Sequence, residues 1–177
     1  MLATILRYGI VAGAIVGTLM VAVTVPLIGR IPPALGMAIG YTTMLIALSA
    51  VFVAVKRRRD HDLGGVIRFW PAFGLGLGIS VVASICYALA WEVALAVNGG
   101  PDAFIDSYIA QTRAAGGDPA GIAQLEAMRV SYRNPLFRLP ITMTEILPVG
   151  LLVSLVSAAL LRNPRMLPAR RSDPAAG

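Results

Sequence analysis

Four long runs of apolar residues constrain this chain more than any other feature. Residues 8–29 carry no charge, and neither do residues 31–55. The run 69–97 is interrupted only by Glu92, and the run 139–161 only by Glu145. A helix needs about 20 apolar residues to cross a ~30 Å hydrocarbon core, and a backbone in lipid must satisfy its own hydrogen bonds. The runs therefore predict transmembrane helices at about 8–29, 34–55, 71–97 and 139–161. The expected fold is all-α: an integral membrane four-helix bundle forming one domain over residues 1–177. Pro32-Pro33 predicts a tight turn that makes spans one and two a helical hairpin. A modest Arg7 precedes the first run, which exceeds the ~7–15-residue core of a secretory signal, and no A-x-A-like site follows it. It reads as a retained span.

Composition agrees. The chain is 57% hydrophobic and 14% charged, against roughly 45–50% and 25% for an average soluble domain. One cysteine, Cys86, allows no intrachain disulfide, and one histidine, His61, allows no metal cluster. The glycines of Gly74-x-Gly76-x-Gly78 lie inside a span and lack the downstream glycine and acid of a dinucleotide loop. No nucleophile–base pair or phosphate loop stands out. No catalytic, metal or cofactor residues are expected, and the chain reads as non-enzymatic.

The formal net charge is +6, and its distribution points to lipid rather than nucleic acid. Basic residues flank the apolar runs, with no aromatic residues interleaved among them in a polar stretch. Arg7, Lys56, Arg57, Arg58, Arg59, Arg68, Arg162, Arg165, Arg170 and Arg171 fall on one side of the bilayer. Arg30, Arg113, Arg129, Arg133 and Arg138 fall on the other, the last four in a loop that also holds Asp102, Asp106, Asp118 and Glu126. The first side is expected to be cytoplasmic, with both termini. The run from Lys56 to Arg59 reads as a stop-transfer signal and an anchor for anionic lipid headgroups.

The loop between spans three and four, about 98–138, is expected to be an extracytoplasmic helical insert. Phe104, Ile105, Tyr108 and Ile109 share one face of a first helix, broken at Gly116-Gly117. Asp118 is a good N-cap, with Pro119 at the first helical position. Ile122, Leu125, Met128 and Tyr132 recur three to four residues apart on a second helix. Asn134-Pro135 is expected to end it. The pair of helices would cover the bundle's outer ends or lie at the lipid interface.

Helices in lipid associate through close packing of small residues. Gly9, Gly13 and Gly17 form a ladder on span one. Gly36 and Gly40, Gly74 and Gly78, and Gly150, Ser154 and Ala158 repeat the spacing on the other spans. The ladder predicts a tight crossing, within the chain or between two copies. Cys86 reads as a small buried hydrophobe.

Candidate functional residues are the two intramembrane carboxylates and the charges near them. Glu92 lies near the outer end of span three, and Glu145 about two turns into span four, at a similar expected depth. Gly74, Gly78, Ile85, Ala88 and Glu92 share a stripe expected to face the bundle. One reading makes Glu145 and Glu92 a proton or ligand site with Arg138, Thr142 or Tyr41. The plainer reading pairs Arg138 with Glu145 on one helix face. Pro148 removes a backbone hydrogen bond just past Glu145 and is expected to kink the helix.

Several of these motifs together resemble the DUF4199 family. They are Tyr8-Gly9 with Ala12-Gly13, Gly40-Tyr41 with Met44 through Ser49, and Arg59-Asp60 with Leu63-Gly64-Gly65. The series continues with Asn134 through Arg138, and with Glu145, Pro148-Val149-Gly150 and Ser154. Trp70-Pro71 departs from it, where a Gly-Lys pair would be more usual. The resemblance covers residues 8 to 162. It implies a bacterial four-span bundle with an outer helical insert, and no reaction, substrate or cofactor. It adds Arg59, Asp60, Gly64 and Gly65 to the positions of interest.

The chain is thus expected to be a membrane assembly or accessory protein in a bacterial cytoplasmic membrane, partnered by the bilayer and by copies of itself or another membrane protein. The alternative is a subunit of a small oligomeric transporter or channel using Glu145 and Glu92.

Overall fold

The computed structural model describes residues 1–27 and 33–168. Six α-helices follow one another: α1 (Leu2–Leu27), α2 (Pro33–Arg57), α3 (Phe69–Val97), α4 (Gly100–Ala114), α5 (Pro119–Tyr132) and α6 (Pro135–Leu161). A π-helical turn, Arg58–Asp62, continues α2. The helices α1, α2, α3 and α6 are long and apolar enough to cross a membrane, and the chain is a multi-pass membrane protein. The expected turn at Pro32, and Arg30, Arg170 and Arg171, lie outside the described residues.

The four spans run up, down, up and down. Helix α3 packs most broadly, against α1 on one side and α6 on the other, and α2 closes the ring against both α1 and α6. One end of this bundle carries the segment from Arg58 to Arg68, and is called here the basic end. The other carries α4 and α5, and is called the insert end.

Small residues set both of α3's contacts. The predicted ladder on α1 lies along α3, with the two helices parallel. A Cβ would stand 2.5 Å from Val82 Cβ at Gly9 and 2.9 Å from Ala90 Cβ at Gly17, and would collide with Cys86 Cβ at Gly13. Each step of four residues on α1 meets a step of four on α3, so the absence of side chains lets the backbones close. Cys86 fills the middle of that seam.

The α3–α6 contact is antiparallel. A Cβ at Gly150 would stand 2.6 Å from Ser80 Cβ, and one at Gly76 would stand 3.0 Å from Ser154 Cβ. The Ser80 and Ser154 hydroxyls lie 3.4 Å apart. Each also donates to its own helix, Ser80 to the Gly76 carbonyl and Ser154 to the Gly150 carbonyl, so both are satisfied without water. The expected inward stripe on α3 holds at buried Ala88 and needs correction at Gly74 and Ile85. Gly76, Ser80, Ala83, Ser84 and Tyr87 face the core, whereas Ile85 is exposed and Gly74 has nothing closer than Met1 at 4.0 Å. Gly78 packs instead on Ile5 of α1. On α2, Gly40 has no atom within 4 Å of where a Cβ would stand, so it makes no tight crossing among the described residues.

Helix α6 begins four residues earlier than its apolar run. Asn134, expected to stop the preceding helix, accepts a hydrogen bond from the Leu136 amide at 3.0 Å, and Pro135 is the first helical residue. Asn followed by Pro is a helix start as readily as a stop. Arg138 therefore sits on α6 itself, and the insert ends at Asn134. The helix continues through both Pro140 and Pro148. At the insert's own break, Asp118 caps α5 by accepting from the Ala120 amide at 3.2 Å, as its sequence predicts.

Candidate functional site

Helix α3 has 29 residues, a rise of roughly 43 Å. That exceeds the ~30 Å core, so its last turns, with Glu92, stand near the headgroup level. Arg138 belongs to the first turn of α6 and meets Glu92 there. Its Nε donates to Glu92 Oε1 at 3.0 Å, and its Nη2 donates to Oε2. Its Nη1 donates to the carbonyls of Tyr132 at 2.6 Å and Arg133 at 3.0 Å. Those carbonyls belong to the end of α5, where the helix leaves its last acceptors unpaired. One buried guanidinium thus joins α3, α5 and α6. The bidentate fork suits a carboxylate as a lysine would not.

The same α3–α6 register that seats Gly150 on Ser80 produces this pair. Arg138 lies as far before Gly150 as Glu92 lies after Ser80. The expected pairing of Arg138 with Glu145 along one helix face is not formed; the tertiary partner takes the fork instead.

Around Arg138 the insert is locked by aromatic groups. The guanidinium carbon lies 5.7 Å from the centre of the Tyr132 ring. Trp91 Nε1 donates to the Tyr132 hydroxyl at 3.0 Å, and Phe104 packs edge-on to Trp91 and stacks with Tyr132. Burial pushes the Tyr132 phenol above its usual range, so it stays neutral and accepts the indole hydrogen bond. Leu95, Ile105 and Ile109 complete a second small core. Of the two placements open to the insert, its buried faces favour covering the bundle end. Arg129 and Arg133 tie α5 to α4 through Asp106 and Asp102. The Asp106 hydrogen bond raises the Arg129 guanidinium further above its already high range.

Glu145 is differently placed. It lies seven residues beyond Arg138 on α6, roughly 10 Å deeper, so it does not share the depth of Glu92. Its side chain is exposed at the surface of the bundle. Among the described residues no cation lies within salt-bridge reach of it. It accepts a single hydrogen bond, from the hydroxyl of buried Tyr87, at 3.3 Å. Thr142, one turn earlier, is buried, and Tyr41 on α2 is exposed.

At the basic end, Arg59 is wholly buried. Its Nε donates to Asp60 at 2.7 Å, and Asp60 also pairs with Lys56. Its remaining donors reach the end of α6 and the chain beyond it: the carbonyls of Leu161 at 3.5 Å, Met166 at 2.8 Å and Leu167 at 2.6 Å. Leu167 has φ of 47°, a left-handed conformation costly for a side-chain-bearing residue, so Arg59 holds a strained turn. Gly64 and Gly65 have φ of 62° and 89°, and the Gly65 amide donates back to the Arg59 carbonyl at 2.8 Å. Any other residue would be strained at those two positions. Lys56, Arg58 and Arg59 thus each carry an internal ion pair, while Arg57 is exposed.

The model of one family, described as a protein of unknown function, matches residues 7–163. The chain belongs to DUF4199. No curated protein and no solved structure matches it. In this DUF4199 protein the matched region holds both arginine nodes and Glu145, while Met166 and Leu167, which Arg59 binds, lie beyond it.

The expected site residues therefore separate into three places. Glu92 and Arg138 come together at the insert end, Arg59 and Asp60 at the basic end, and Glu145 stands by itself at the lipid level. Tyr87, Trp91 and Tyr132 went unnoticed as polar partners in the sequence. Tyr87 and Trp91 lie four apart on α3, so a turn-by-turn search for aromatic side chains with a hydroxyl or N–H beside Glu92 would have found both.

Proposed function

We propose that this protein is a non-enzymatic membrane assembly or accessory protein that docks against another transmembrane helix, of a second copy or of a partner, through the face of α6 that bears Glu145. One observation carries the reading: a carboxylate at the bundle surface, about 10 Å deeper than Arg138, with one long hydrogen bond among the described residues. Polar groups at that depth almost always face protein or a water-filled cavity. A hydrogen-bonding side chain on a docked helix would cover Glu145 and satisfy its free oxygen. Gly40, which has open space around it, supplies a second place where a helix can approach closely.

We place both ends on the cytoplasmic side on the strength of the asymmetric Arg and Lys distribution, and take a bacterial cytoplasmic membrane from the family resemblance alone. A transport subunit built on Glu145 and Glu92 is disfavoured, because Arg138 neutralises Glu92 and the two acids lie at different depths. The test is native mass spectrometry of the protein extracted from its own membrane in mild detergent. A defined homo-oligomer or hetero-complex in wild type, reduced to monomer by Glu145→Leu, is expected. A monomer in both, or an identical complex in both, would end this reading.

A further inference from the structure

A cleft of about 660 Å³ opens at the basic end between the start of α3 and the end of α6. That is within the range of ligand clefts, roughly 300–1,000 Å³. Val66, Ile67, Phe69 and Ala159 make its apolar walls, and Arg68, Arg162 and Asn163 its polar lining. The two arginines differ from those described above. Arg59, Arg129, Arg133 and Arg138 each meet a carboxylate. Among the described residues, Arg68 and Arg162 meet none. Both are exposed at the cleft. The carboxamide oxygen of Asn163 accepts from the Arg165 amide at 3.0 Å, which leaves its NH₂ group free to donate. No side chain caps the first turn of α3, which also borders the cleft.

The level of the cleft is fixed by the helices that frame it. It lies where two membrane spans end, beside Trp70, which is 74% exposed and packs edge-on against Phe69 and Phe73. Exposed tryptophan at a span end belongs at the headgroup region. Two guanidiniums that meet no carboxylate among the described residues, over apolar walls at that level, match a molecule with a phosphate at one end and hydrocarbon at the other.

We propose that the Arg68–Arg162 cleft binds the phosphate of an anionic phospholipid, with its glycerol and upper acyl chains against Val66, Ile67, Phe69 and Ala159. The guanidiniums bind phosphate oxygens through charge-assisted hydrogen bonds, and Asn163 donates a further one. A zwitterionic lipid would fit less well, because its own cation already compensates the phosphate. The site does not depend on the docking role of Glu145.

The test uses full-length protein in nanodiscs, released for native mass spectrometry, with phosphatidylglycerol against phosphatidylcholine. Wild type is expected to retain phosphatidylglycerol selectively. A basic residue at a headgroup is worth on the order of five-fold in affinity, so R68Q/R162Q should lower retention ten-fold or more. R57Q, which removes an exposed charge from the end of α2, should leave retention unchanged. R68K/R162K should fall between wild type and the glutamine pair, since it keeps charge but loses the fork. Equal retention of the two lipids, or full retention in R68Q/R162Q, would overturn the assignment. Displacement of the lipid by millimolar inorganic phosphate would also overturn it, and would mark the cleft as a site for a soluble phosphate.

Discussion

The two buried arginines stand at opposite ends of the bundle and use the same donors differently. Arg138 finds its carboxylate on another helix, and its carbonyls at the end of a third. Arg59 finds its carboxylate on the next residue, and only neutral carbonyls on the distant chain. At the insert end, charge neutralisation and tertiary structure are one interaction. At the basic end they are separate, and Asp60 keeps Lys56 if Arg59 is lost. The insert end should therefore behave as part of the bundle, and the segment after α6 as a clasp that opens without unfolding it.

The largest expected effect follows from removing Arg138. Arg138→Met strands Glu92 and two carbonyls of α5. Breaking a buried pair costs 3–5 kcal/mol, and Glu92 keeps 27% of its side chain exposed, so about 3 kcal/mol is expected. The double variant Glu92→Leu, Arg138→Met should recover more than half of that loss in detergent unfolding. Equal losses for single and double variants would mean that the pair does not join the helices.

Arg59→Met is the counterpart and should cost about 2 kcal/mol, the penalty of orphaned carbonyls partly relieved by water. Its signature is local: trypsin should cut at Arg165 faster, while unfolding of the bundle stays cooperative. Unfolding of the bundle at the same rate as cleavage would erase the distinction between the ends.

Two smaller substitutions sharpen the comparison. Gly65→Ala, at φ of 89°, should cost about 1–2 kcal/mol and loosen the same clasp. Asp118→Ala, which removes the cap of α5, should cost about 1 kcal/mol and raise hydrogen exchange in α5 alone. Either effect spreading to the opposite end would show that the ends are coupled.

What the sequence made legible divides along the same line. Spans, caps and the α1 ladder were local patterns: charge-free length, Asp118-Pro119, three glycines at four-residue spacing. The partner of Arg138 was not local. It depends on the α3–α6 register, which the small-residue spacing alone leaves open and which the Gly150–Ser80 and Gly76–Ser154 contacts set. With those contacts made, Arg138 falls opposite Glu92. Arg59 looked like a span-flanking charge because its acceptors lie more than a hundred residues away, in a turn without any sequence signal. The isolation of Glu145 followed from the same register, since it appears only once Arg138 is assigned elsewhere.

The most direct measurement compares the thermal unfolding of monomeric Glu92→Gln and Glu145→Gln with wild type in one detergent. If Glu92 serves structure and Glu145 serves docking, Glu92→Gln lowers the midpoint by several degrees, about 1–2 kcal/mol of lost ion pairing, and Glu145→Gln leaves it unchanged or raises it. A Glu145→Gln protein as destabilised as Glu92→Gln would contradict that division and return Glu145 to the fold.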